Sequence, residues 1–267
     1  MKEIRLANKK EVYDFVLVGS DQVWNPRYIE ETPFLLYKPI GNECAVSYAA
    51  SFGTEHLSTE QCTSFYKILK TYKAISVREQ AGKEIVQKVI GIEQAEVLID
   101  PTMLLNVSKW DKIKRKPGNL NGNTKYLLKY FLGDMSVAEK KAISDYAEKN
   151  GCQIIDLKDE QDSFFCSGPD EFIYLVEHAH LVCTDSFHAC VFSFLYHRPF
   201  VVFERKGCSD YMYSRIRSFL EVFQLKDREF KGDCISEKNQ KCDYKNAYDI
   251  LKREREKGFS FLKRNLT

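Results

Sequence analysis

Residues 181–203, LVCTDSFHACVFSFLYHRPFVVF, constrain the fold more tightly than any other stretch of the chain. Leu181 to Cys183 is a short apolar run of strand type, and Thr184-Asp185-Ser186 are residues that favour a helix N-terminus. Phe187 to Tyr196 is an apolar run of helical length, and Phe200 to Phe203 returns as strand. The helix therefore begins at a strand's carboxyl end. In an open α/β sheet ligands bind there, and the first helical turn offers N–H groups and a positive dipole end to an anion. Asp185, Ser186 and Phe187 are accordingly candidates for lining a substrate site. His188, in the first turn, is the candidate for proton transfer, since histidine titrates near neutrality. The same position also suits a packed, hydrogen-bonded core histidine.

The flanking sequence repeats this strand-to-helix alternation. Asp14 to Val18 reads as a strand ending in Gly19-Ser20-Asp21, and Cys44 to Ala50 as a strand ending in Ser51-Phe52-Gly53. Small residues at such ends let a ligand approach the backbone closely, and they equally suit a plain turn. Ser58 and Thr59 start a helix with apolar positions at Cys62, Phe65, Ile68 and Leu69. Ala74 to Val77 is a strand, followed at once by Arg78 and a helix from Gln80 to Ile90. Arg78 is placed to grip a carboxylate or phosphate with its planar fork, or to pair with Glu79 or Glu84 on the helix. Val97 to Ile99 reads as a further strand.

The basic run Lys112 to Lys116, then Pro117-Gly118 and Asn121-Gly122, marks a composition shift, so the chain is expected to divide into lobes 1–112 and 113–267. The second lobe alternates again: strand Tyr126 to Leu132, helix Ser136 to Lys149 closed by Gly151, strand Gln153 to Leu157. Glu171, at the start of the next helix, is either a favourable terminal charge or a ligand for a sugar hydroxyl. Arg205 lies in a charged loop on the edge expected for His188. Arg215, near another helix start, suits an anion or a surface salt bridge. Tyr244 to Leu266 reads as a long amphipathic helix.

A net charge of +2 without a broad basic stripe argues against nucleic acid as a partner. Nine cysteines without a C-x-x-C pair give neither a zinc site nor a disulfide framework, and no metal or cofactor is expected. The polar start and the lack of a spanning apolar run predict a cytoplasmic setting. The basic cluster between Lys252 and Arg264 leaves room for peripheral contact with the inner membrane face.

TDSFHACVFSFLYHRPFVVF resembles the signature segment of the polysaccharide pyruvyl transferase family. VLVGSDQVWNP from Val16, SYAASFG from Ser47, AISVREQAGKEIV from Ala74, VLIDPTMLL from Val97, GPDEFIYLVEHA from Gly168 and YSRIRSFLE from Tyr213 agree in order. The resemblance implies an α/β fold of two Rossmann-like lobes like that of GT-B glycosyltransferases, with a terminal helix packing back across the domains. It favours the site-lining reading of Gly19, Ser20, Asp21, Ser51 and Gly53, and associates the Arg78 position with the active centre. Family members begin with a further strand and Gly-containing loop, so the N-terminal lobe here is expected to be truncated. The implied activity is transfer of pyruvyl from phosphoenolpyruvate to two hydroxyls of a glycan or lipid-linked oligosaccharide. A nucleotide-sugar glycosyltransferase of the same architecture and an inactive binding remnant are the alternatives.

Overall fold

In the computed structural model, residues 13–31, 44–91, 95–206, 213–232 and 234–267 are described. Their contacts divide the chain into two units, Met1–Leu104 with Lys252–Thr267, and Leu105–Leu251.

The first unit contains β1 (Phe15–Val18), α1 (Pro26–Glu31), β2 (Cys44–Ala50), α2 (Thr59–Leu69), β3 (Tyr72–Val77), α3 (Gln80–Ile90) and β4 (Glu96–Val97). The strands form a fully parallel sheet in the order β1-β2-β3-β4, with Val18 beside Ser47, Ala50 beside Val77, and Val77 beside Val97. All four carboxyl ends therefore open on one edge. One face buries Trp24, Phe52, Phe65, Ile75, Val77 and Val86. The other buries Val46, Tyr48 and Leu98 beneath Phe261, a residue from the far end of the chain. α2 starts where Ser58 and Thr59 predict, and Ser58 forms a reciprocal capping box with Gln61.

The second unit contains α4 (Val107–Trp110), β5 (Tyr126–Tyr130), α5 (Val137–Asn150), β6 (Gln153–Asp156), α6 (Pro169–His178), β7 (Leu181–Thr184), α7 (Phe187–Leu195), β8 (Phe200–Val202), α8 (Ser214–Val222) and the first turns of α9 (Lys245–Asn265). Its sheet is also parallel, in the order β6-β5-β7-β8. The chain runs outward from β5 to β6, then crosses back to place β7 on the other side of β5. The strand order thus reverses between β5 and β7, the kind of position at which open α/β sheets take ligands.

The expected mixed α/β architecture with two parallel, Rossmann-like sheets is therefore observed, but several boundaries differ from the sequence reading. The division falls at Leu104/Leu105 rather than after residue 112, because the presumed linker packs onto the second unit. Trp110 meets Phe192 edge-on at 5.0 Å, Asp111 accepts from Tyr196 Oη at 3.0 Å, and Arg115 N donates to Asp170 O at 3.2 Å. Lys252–Thr267 belong to the first unit, not the second. The strand expected over 97–99 is Glu96–Val97, with one further ladder bond from Leu98 N to Val77 O.

Candidate active site

At the carboxyl edge of the first sheet the chain gathers Ser20, Asp21, Arg78 and Asp100. Gly19, just past β1, takes φ 129°, and a Cβ there would lie 2.2 Å from Tyr48 O, so only glycine lets this loop pass over β2. Arg78 leaves β3 with its side chain 2% exposed. Its Nη1 donates to Asp100 Oδ2 at 2.6 Å, and its Nη2 to Asp21 Oδ1 at 3.0 Å. Burial works to lower the guanidinium pKa, but the carboxylates of Asp100, Glu79 and Asp21 outweigh it and the pKa is raised. Ser20 Oγ donates to the same Asp100 oxygen at 2.6 Å.

Ser51 and Gly53 stand beside this cluster as scaffold. Ser51 Oγ donates to Glu79 Oε1 at 2.8 Å, and Phe52 N joins the same oxygen at 3.1 Å. Gly53 N donates to Ser51 Oγ, and Gly53 holds φ 59° where a Cβ would collide with Gln22 Oε1. Glu79, considered from sequence only as a partner for Arg78, is thus the acceptor that closes the loop after β2. Glu84 accepts from Gln80 Nε2 at 3.3 Å.

The second unit builds its own cluster where the strand order reverses. Asp185, following β7, is 1% exposed. Its carboxylate accepts from the backbone amides of Leu132 at 2.7 Å and Gly133 at 2.8 Å, beyond the end of β5, and from Arg205 Nε at 3.1 Å, beyond β8. Arg205 Nη2 also donates to Asp185 O at 2.9 Å. One carboxylate thereby ties together the loops after three neighbouring strands. Thr184 Oγ1 donates to Tyr130 O at 2.6 Å and accepts from Ser186 N at 2.9 Å. Burial, reinforced by the Asp185 charge, raises the Tyr130 phenol pKa.

Above this frame α7 begins at Ser186, whose extended backbone supplies no side-chain cap. Phe187 is buried and meets Phe219 of α8 at 6.1 Å. Every residue of α7 is buried except His188, which is partly exposed and lies edge-on to the Phe187 ring at 5.4 Å. The structure therefore sorts the signature turn. Asp185, Ser186, Phe187 and Arg205 are interior supports, and His188 is the group they bring to the surface.

Two other candidates sit elsewhere. Glu171 accepts from Gly168 N at 3.3 Å and pairs with Arg115 at 2.8 Å, so it acts as the cap and terminal charge of α6. Arg215 is buried in the first turn of α8, which rules out the surface salt bridge that stood as the alternative to an anion site. Sequence reasoning missed Asp100 as a member of the Arg78 cluster, and the amides of Leu132 and Gly133 as partners of Asp185. The signal for Asp100 was its place at a strand's carboxyl end, ahead of Pro101.

Among the described residues, no group of three or more His, Cys, Asp and Glu side chains is placed to hold a metal ion, and no helix is long and apolar enough to cross a membrane. The family model for polysaccharide pyruvyl transferase matches residues 2–207. That span takes in Arg78, Asp100, Asp185, His188 and Arg205. A comparison with curated proteins finds no match.

Proposed function

The chain belongs to the polysaccharide pyruvyl transferase family, and on that premise we propose that it transfers the pyruvyl group of phosphoenolpyruvate to two hydroxyls of one sugar residue, forming a cyclic ketal. The reaction adds a proton to the enol CH2, making a methyl group and an oxocarbenium-like carbon. A sugar hydroxyl attacks that carbon as its own proton is taken up by a base. The C–O bond to phosphate then breaks, and a second hydroxyl closes the ring. Of the two hydroxyl protons, one is balanced by the new methyl hydrogen and the other leaves with phosphate.

His188 is the residue we assign to the proton transfers. It is a titratable side chain at the open end of a helix that is otherwise fully buried. Asp185 and Arg205 fix the backbone turn that carries it. Arg78 takes the donor's negative charge. Its outer partner, Asp21, has a side chain 59% exposed and is the carboxylate an incoming anion exchanges with, whereas Asp100 is buried and stays in place. Gly19 and Ser20 line the approach. The acceptor is a glycan, free or lipid-linked.

The observation that carries this reading is the reach of the family match, which includes both strand-end clusters. It is tested by incubating the protein with phosphoenolpyruvate and a panel of free and lipid-linked oligosaccharides while following phosphate. Release that requires both substrates is expected. If no acceptor supports release, and nucleotide sugars rather than phosphoenolpyruvate raise the melting temperature, the donor has been misassigned.

A further inference from the structure

Asp100 is the point at which the loops after β1, β3 and β4 converge. Its Oδ2 accepts from Arg78 Nη1 at 2.6 Å and from Ser20 Oγ at 2.6 Å. Its Oδ1 accepts from Thr102 Oγ1 at 2.7 Å and from Thr102 N at 3.0 Å, capping the short turn Pro101–Met103. Four donors converge on the two oxygens, of which Arg78 Nη1 and Thr102 N can only donate. The carboxylate is 1% exposed, and its two short contacts to Arg78 and Ser20 are of the strong, charge-assisted kind.

The two carboxylates that receive the Nη groups of Arg78 are therefore unlike. Asp100 is interior and held from both oxygens. Asp21 stands on the loop after β1 with its carboxylate largely in solvent. Because the guanidinium is a rigid planar fork, fixing Nη1 on Asp100 also fixes the direction in which Nη2 points. That direction is toward the solvent-reaching side of the cluster, where Asp21 Oδ1 lies 3.0 Å away.

We propose that Asp100 is a positioning residue for Arg78, holding the guanidinium so that its Nη2 edge is presented to the anionic donor. The inference rests on the reading that Arg78 binds the donor's charge, and it adds the residue that makes such binding directional. Ser20 shares the same oxygen, so Asp100 also couples the orientation of Arg78 to the loop that carries Asp21.

The test compares full-length wild type, Asp100→Asn, Thr102→Val, Arg78→Lys and the Asp100→Asn/Arg78→Lys double variant. For each, the Kd of phosphoenolpyruvate is measured by calorimetry, KM and kcat by phosphate release, and the folded fraction by thermal melting. Asp100→Asn keeps the size of the side chain and removes its charge. It is expected to raise Kd and KM about tenfold or more, the scale of a lost hydrogen bond to a charged group, with a smaller change in kcat. Thr102→Val removes one support of Asp100 without touching Arg78, and is expected to raise Kd a few-fold at an almost unchanged melting temperature. It decides the matter if Asp100→Asn does not fold. The double variant is expected to bind no more weakly than the weaker single variant, because the substituted lysine has no fork left to orient.

A merely structural Asp100 would lower the melting temperature and leave the Kd of the folded fraction at the wild-type value. That result, or fully additive losses in the double variant, overturns the inference while leaving the donor reading intact. Failure of wild-type protein to bind phosphoenolpyruvate overturns the donor reading, and this inference falls with it.

Discussion

At the scale of single residues, the sharpest contrast lies within one turn, where His188 reaches solvent and its neighbours do not. If this partly exposed side chain moves protons, its loss should register in chemistry before stability. We expect His188→Asn, which keeps polarity and approximate size, to lower turnover by about a hundredfold or more, the usual scale for a positioned acid or base. The melting temperature should change little. Turnover and melting are read on one preparation, and full specific activity in the folded variant would remove His188 from the proton transfers. The sequence placed this histidine in the first turn of a helix that follows a strand because strand, polar turn and apolar helix are all local signals. It did not reveal that Asp185 and Arg205 would face inward. Their partners are the amides of Leu132 and Gly133, and each other, contacts made across more than fifty residues in the first case and twenty in the second. The same holds for Arg78, where pairing with Asp100 spans 22 positions and no helical spacing announces it.

At the scale of elements, α5 shows how a local cap and a distant loop are joined. Ser136 and Glu139 form the reciprocal box, with Ser136 N and Oγ donating to Glu139 Oε2 at 2.7 and 2.8 Å. The other oxygen pairs with Lys206 Nζ at 2.9 Å, from the loop that carries Arg205. Burial alone would raise the Glu139 pKa, but the Lys206 and Ser136 contacts prevail and hold the carboxyl below its usual range. A depressed folded-state pKa gives stability that is complete above the unfolded value, about 4.3 for Glu, and is lost as pH falls through the folded value. Glu139→Gln keeps a capping side chain and loses the charge. It should therefore cost about 1 kcal/mol at neutral pH, with the gap to wild type closing below about pH 4. Denaturant titrations at several pH values measure this, and a gap independent of pH would show that the charge contributes nothing. The helix starts at Ser58 and Ser136 were legible from residue type, and their partners Gln61 and Glu139 lie only three residues further on. The end of β4 was not, since a strand stops where its neighbour stops bonding, and the apolar run at Leu98 and Ile99 continues past that point.

At the scale of the whole molecule, the first unit is discontinuous in sequence, and this property was hidden from any reading of local pattern. The amphipathic repeat of α9 announces a helix with a buried face but not which core receives each part of it. Ala247 and Leu251 are buried, and Tyr248 Oη donates to Phe194 O at 2.7 Å within the second unit. From Lys252 onward the helix belongs to the first. Arg255 Nε donates to Met103 O at 2.7 Å, Arg264 pairs with Glu96, and Phe261, 1% exposed, lies edge-on to Tyr48 at 6.3 Å over Val46 and Leu98. Gly258 allows this approach, since a Cβ there would sit 2.6 Å from Tyr48 Oη. One face of the first sheet is thus covered by residues more than 150 positions away along the chain. A fragment of residues 1–104 leaves Val46, Tyr48 and Leu98 without Phe261 and is expected to stay unfolded, whereas residues 105–251 hold a complete four-stranded sheet and should melt cooperatively alone. In the full chain, Phe261→Ala should cost the first unit about 3–5 kcal/mol, the scale for emptying a buried aromatic site, and leave the protection of amides in β5 and β7 unchanged. Hydrogen exchange on the two fragments and on the variant checks all three expectations. Native-like protection of β2 and β3 in the 1–104 fragment would show that the C-terminal helix is dispensable to the first fold.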